Sequence, residues 1–119
     1  MIIAEIILHQ IYTIDRQALK SFGAHHFQVI PKSDEFEGGV RFSVKGLFLQ
    51  GDVLIFLTWQ DEYTIVFLNQ DGTKIKEYTN VYCDMLVDVL DYIELGEVWK
   101  REWKTKFYFK RSKNTFGLN

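Results

Sequence analysis

Cys83 stands near the start of a predicted helix, where the dipole at a helix N-terminus can stabilise a thiolate and so make a nucleophile. Asp84 beside it opposes that effect, and no base stands at a recognisable spacing from it, so the residue reads as a small thiol of the fold. The adjacent His25 and His26, with His9 elsewhere, are the residue type that ligates zinc and titrates near neutrality. Neighbours on a strand point to opposite faces, however, and no cysteine or third histidine completes a ligand spacing. One ring is expected inward and hydrogen-bonded, the other solvated. Asp84, Asp88, Asp91 and Glu94 recur at helical steps but match neither a calcium loop nor a Glu-x-x-His pair, and they read as the wet face of a helix. The expectation is therefore no catalytic residue, no metal and no cofactor.

Two further stretches bear on binding. Gly46-Leu47-Phe48-Leu49-Gln50-Gly51 puts three large apolar residues between glycines, where a turn is usually polar. Either a strand runs through a bulge and buries them, or Leu47, Phe48 and Leu49 form a partner-binding or self-association surface. The second stretch is the C-terminal segment, in which Lys100, Arg101, Lys104, Lys106, Lys110, Arg111 and Lys113 oppose only Glu102, a local charge of +6. The rest of the chain carries −8. Trp103 and Tyr108 are interleaved with the bases, together with Trp99, Phe107 and Phe109. Cations neutralise phosphates and rings stack on unpaired bases, so this composition is compatible with single-stranded nucleic acid, and also with an anionic membrane surface. Trp99, Trp103 and Phe107 at steps of four equally fit a third helix docked on the core, and the shared parity of Trp99, Trp103, Thr105, Phe107 and Phe109 fits an added strand. An acidic body with a basic tail could also pair between copies as a homodimer.

The elements that must position these residues follow from periodicity. Ile3, Ile7, Ile11, Ile14, Ala18 and Phe22 keep one face apolar, predicting a helix over residues 2 to 22 that Gly23 ends. The β-branched run Ile2 to Ile7 is the competing strand. Period two begins at Phe27 and Val29 and stops at Pro31. Lys32 to Gly39 reads as a loop, and Val40, Phe42 and Val44 as one face of a strand. Asp52 to Trp59 is apolar on both faces, with Val53, Ile55, Leu57 and Trp59 on one side, which implies a central strand. Gln60-Asp61-Glu62 leaves room only for an antiparallel hairpin into Tyr63 to Leu68. Asp71-Gly72 turns into an edge strand around Thr73 to Tyr78, guarded by Lys74, Lys76 and Glu77. Asn80 then caps a helix with Tyr82, Met85, Leu86, Val89, Leu90 and Ile93 on one face, ended by Gly96.

The fold class is thus α+β: an antiparallel meander of four or five strands flanked by an N-terminal and a C-terminal helix. Residues 1–96 form one domain, and 97–119 are a basic aromatic extension packed on it. Ten Phe, six Tyr and three Trp allow so small a domain to bury a core without a disulfide, which a single cysteine precludes within the chain. No apolar run approaches the roughly 20 residues of a membrane span. Met1 to Leu8 lacks a basic leader and contains Glu5, so it reads as part of the fold rather than a signal peptide. The lone thiol points to the cytoplasm.

Ile14-Asp15-Arg16-Gln17-Ala18-Leu19 leading to Gly23-Ala24 and Phe27, then Gly39-Val40-Arg41-Phe42, Asp61-Glu62-Tyr63 and Val81-Tyr82-Cys83-Asp84-Met85-Leu86, resemble stretches of short uncharacterised proteins of bacteriophages and related mobile elements. The resemblance spans roughly residues 14 to 94. It implies a prokaryotic cytoplasmic accessory protein and carries over no active-site residues. The functional expectation is a non-enzymatic protein acting by protein–protein interaction, with nucleic-acid binding by the basic segment as the alternative.

Overall fold

The computed structural model describes residues 2–100. Its centre is a five-stranded antiparallel sheet in simple meander order, built of β1 (His25–Ile30), β2 (Phe36–Lys45), β3 (Gln50–Thr58), β4 (Tyr63–Asn69) and β5 (Lys74–Val81). Helix α1 (Ile3–Ile14) and the single turn α2 (Ala18–Ser21) precede it. A 3₁₀ turn (Cys83–Met85), α3 (Leu86–Leu90), α4 (Tyr92–Leu95) and a second 3₁₀ turn (Gly96–Val98) follow. The class is α+β, and β3 is the central strand, as its two-sided apolar pattern requires.

One parity of each central strand makes the core. Val40, Phe42 and Val44, then Val53, Ile55 and Leu57, then Tyr63, Ile65 and Phe67 are all buried, in one cluster with Ala4, Ile7 and Ile11 of α1 and Leu86, Val89, Leu90 and Ile93 of the C-terminal helices. Both helical segments therefore cover the same face. The opposite parity, with Arg41, Ser43, Asp52, Leu54, Phe56, Val66 and Leu68, is half-buried. Fully burying one Leu, Ile or Phe is worth about 1.5–3 kcal/mol, so the single covered face dominates stability. Among the described residues no helix is long and apolar enough to cross a membrane.

Several boundaries differ from the periodicity. The N-terminal helix is not continuous to residue 22. Asp15 takes an extended conformation and its Oδ1 accepts from the Gln17 N–H at 2.9 Å, the local side-chain bond by which Asp competes with a helix. The apolar steps continue through Ala18 and Phe22, which are buried, whereas Ile14 is exposed. The loop from Lys32 ends early, because Phe36 already pairs with Thr58 and its ring stacks on Phe56 at 4.4 Å. Trp59 lies outside β3 and is exposed, its Nε1 donating to the Asp34 carbonyl at 3.0 Å. Asn80 does not cap a helix. It sits inside β5 with a positive φ, and its amide donates to Glu62 at 2.6 Å across the hairpin. Tyr82 is exposed for the same reason, the helix beginning only at Leu86.

The dependence on one face makes a direct prediction. Ile7→Ala, at a fully buried α1 position over the sheet, should lower unfolding free energy by about 2–5 kcal/mol in urea denaturation, while Ile14→Ala on the exposed side should cost less than about 1 kcal/mol.

Candidate interaction surface

The turn between β2 and β3 carries the apolar triplet singled out by its composition, and the structure divides it. Leu49 is 1% exposed and belongs to the core, so it cannot contact a partner; the chain turns its side chain inward to re-enter β3. Leu47 is 88% exposed and Phe48 53% exposed. Neither exposure comes from a loose loop, because all four consecutive N–H groups are engaged. Gly46 N–H donates to Leu49 O at 2.9 Å, Leu47 N–H to Glu94 Oε2 at 3.0 Å, and Phe48 and Leu49 N–H both to Ile93 O at 3.0 Å. The Gln50 side-chain amide also donates to Gly46 O.

Two glycines allow the turn to lie against α4 this closely. A Cβ on Gly46 would stand 2.3 Å from the Ile93 carbonyl oxygen, and one on Gly96, whose φ is +61°, would stand 2.9 Å from the Phe48 ring. Phe48 meets Tyr92 edge-on at 5.2 Å, and Leu95 and Val98, which flank Gly96, are both exposed. Leu47 and Phe48 are thus a fixed apolar prominence at the end of the sheet.

The start of the basic segment lies beside β5. Trp99 is buried, its Nε1 donating to Tyr78 Oη at 3.0 Å with the rings edge-to-face at 5.3 Å. Lys76 Nζ reaches Glu97 at 2.6 Å; that hydrogen bond holds the Glu97 carboxyl below its ordinary range and raises the Lys76 ammonium. Burial raises the Tyr78 and Tyr92 hydroxyls. Lys100 lies 3.8 Å from Glu97 and 5.3 Å from the Tyr78 ring centre. Of the nucleic-acid candidates only Lys100 is described. Arg101, Trp103, Lys104, Lys106, Tyr108, Lys110, Arg111 and Lys113 lie outside the described residues, as does most of the extension expected to pack on the domain.

Tertiary structure also assembles two polar clusters. On the open face of the sheet His25, Ser43 and Asp52 are successive cross-strand neighbours beside a hollow of about 440 Å³. This is the residue set of acyl transfer, but the wiring differs. Ser43 Oγ donates to Asp52 Oδ1 at 2.8 Å, and Arg41 holds Asp52 Oδ2 at 2.7–2.8 Å. His25 Nδ1 donates to the Gly23 carbonyl at 2.7 Å, and the Ser43 hydroxyl gives its hydrogen to Asp52 rather than to the imidazole. The Arg41, Ser43 and Asp52 side chains thereby tie β2 to β3. His26 is exposed with φ +56° at the β1 bulge.

Between α1 and the turn after β5, His9, Gln10, Thr13, Ile14, Cys83 and Asp84 line a second hollow of about 410 Å³. Cys83 is exposed there, and no hydrogen bond joins it to His9. Tyr63 Oη donates to Gln10 Oε1, and burial first, then the charges of Cys83 and Asp61, push its pKa up to about 12. Nothing in the sequence announced that His9 and Cys83 share a hollow, since it is created only by packing α1 over β4. Among the described residues no group of three or more His, Cys, Asp or Glu is placed to hold a metal. Asp84, Asp88, Asp91 and Glu94 are distributed over a 3₁₀ turn and two short helices rather than one straight face.

The chain matches no known family model, no curated protein and no solved structure.

Gly46→Ala should lower stability by roughly 1–3 kcal/mol and displace the Leu47–Phe48 turn, read as shifted amide resonances at Ile93 and Glu94. The raised Tyr63 pKa contributes stability that is present below the ordinary tyrosine value of about 10 and is lost as pH rises towards 12. Denaturation between those pH values should show stability falling with pH, and falling less steeply in Tyr63→Phe.

Proposed function

We propose that this chain is a non-enzymatic accessory protein that works by protein–protein contact, with Leu47 and Phe48 as its recognition residues. One observation carries the reading: a leucine 88% exposed on a turn whose four consecutive main-chain N–H groups are all hydrogen-bonded. Exposing Leu47 in water brings no folding benefit, and holding it rigid reduces the entropy a partner must overcome. An aliphatic side chain beside an aromatic ring, with polar groups at the rim, is the composition of an interface centre. The Arg41–Ser43–Asp52 cluster supports the same reading from the other side, because the Ser43 hydroxyl and the Arg41 guanidinium are both spent on the Asp52 carboxylate. The lone thiol, together with the resemblance to phage and mobile-element proteins, is what supports a cytoplasmic place for it.

The test is affinity capture from a prokaryotic lysate with wild type and the Leu47→Asp/Phe48→Asp variant, each first checked for an unchanged circular dichroism spectrum. A partner retained by wild type and lost by at least about 10-fold in the variant, equivalent to about 1.4 kcal/mol, is the expected result. An identical set of captured proteins would remove the proposal. If instead the full chain binds labelled oligonucleotides with an affinity that falls steeply with salt, and Leu47→Asp leaves that unchanged, the basic segment is the functional surface.

A further inference from the structure

The two edges of the sheet are finished differently. At one edge, β5 carries Lys74, Lys76 and Glu77, and the Glu97–Lys100 segment lies against Lys76 and Tyr78 through an ion pair and the buried Trp99. These are the devices that keep an edge from pairing. At the other edge, β1 has the sequence His-His-Phe-Gln-Val-Ile, with no lysine, arginine or carboxylate, and among the described residues it pairs with β2 alone. The helical layer stops short of it. Val29 is the register partner of the buried Val40, and Phe27 packs on the buried Phe42 at 5.4 Å, so both project to the helix-covered side. Yet Phe27 is 46% and Val29 59% exposed, and Ile2 at the start of α1, which shares a hollow with Val29, is 49% exposed.

We infer that β1 is a self-association edge, pairing antiparallel with β1 of a second copy about a two-fold axis through Gln28. An open strand edge offers alternating N–H and C=O groups, a template on which another extended main chain can add as a further strand. The chain's own β1 does so in a self-complementary register. Centring on Gln28 places Phe27 opposite Val29 of the second copy and Val29 opposite its Phe27, two aromatic-to-β-branched pairs of the kind that stabilise antiparallel ladders. Because the axis stands perpendicular to the sheet, both uncovered strips face the same side and bury one another, with the two Ile2 side chains beside them. No like charges meet across the contact. The bulge at His26 and the proline at residue 31 bound the ladder, and with the axis at Gln28 it spans residues 27–29 of each copy, which stops further extension. So short an interface lies below the roughly 1,200 Å² of a stable complex, which places it among weak, reversible associations. The contact is independent of Leu47 and Phe48, which occupy another part of the surface.

Sedimentation equilibrium of the full chain from roughly 1 to 500 µM covers the range of such weak association. A monomer–dimer equilibrium weakened at least about 10-fold by Val29→Lys and unchanged by Leu47→Asp is the expected result. A monomer at every concentration overturns the inference, and so does a dimer that Val29→Lys leaves intact. Should Val29→Lys fail to fold, amide exchange of the wild type decides. Protection of residues 27–29 that grows with protein concentration supports self-pairing, and constant protection refutes it. Protection gained only on adding a foreign extended peptide assigns the edge to another chain and refutes self-pairing as well.

Discussion

The contact between one face of the sheet and the helical segments at the two ends of the described chain is the interaction on which the rest depends. A meander brings strands together by short hairpins, but a twisted sheet with an uncovered apolar face is not stable in water by itself. Ile7 and Ile11 from α1, and Leu86, Val89, Leu90 and Ile93 from the segment after β5, supply the missing layer over Phe42, Ile55, Ile65 and Phe67. The cover is thus drawn from sequence positions on both sides of the sheet, and the domain closes only when both are in place.

That cover is narrower than the sheet, and the molecule's distinctive surfaces lie where it ends. Over β5 the gap is filled by aromatic packing, with Tyr92 against Phe67 at 4.6 Å, Tyr78 against Tyr92 at 5.9 Å and Trp99 against Tyr78 at 5.3 Å. Over β1 no such filling exists among the described residues, and Phe27 and Val29 meet solvent. At the end of the sheet, Phe48 continues the aromatic series by meeting Tyr92, and the turn that bears it is tied to the end of α4. The prominence at Leu47 is therefore held by the same helix that closes the core.

The polar side chains reinforce this architecture. Arg41, Asp52 and Ser43 saturate one another across β2 and β3, and Glu62 takes the Asn80 amide across the β4–β5 hairpin. No buried side-chain nitrogen or oxygen among the described residues lacks a partner. Such closed networks add register and rigidity to a sheet whose outer face is only half-buried.

Much of the fold was legible in the chain because alternation and helical spacing report which side of an element is buried. The pattern at Val40, Phe42 and Val44, the two-sided β3, the Asp71-Gly72 turn and the stop at Gly96 each reflect local rules that act within a few residues. Local rules also competed, and their contest was not legible. Asp15 could continue a helix or bond its own main chain, and Asn80 could cap a helix or accept a positive φ within a strand. The glycines around Leu47–Leu49 marked that turn as unusual, but its division into buried Leu49 and exposed Leu47 and Phe48 required the contact with Ile93, Glu94 and Gly96. Likewise, the sequence by itself determined that β1 alternates Phe27 and Val29 with the polar His26 and Gln28 and carries no lysine, arginine or carboxylate. Only the tertiary structure decided that it is a sheet edge on which, among the described residues, Phe27 and Val29 meet solvent, because how far a helical layer reaches across a sheet depends on where distant segments pack and not on the residues of the strand itself.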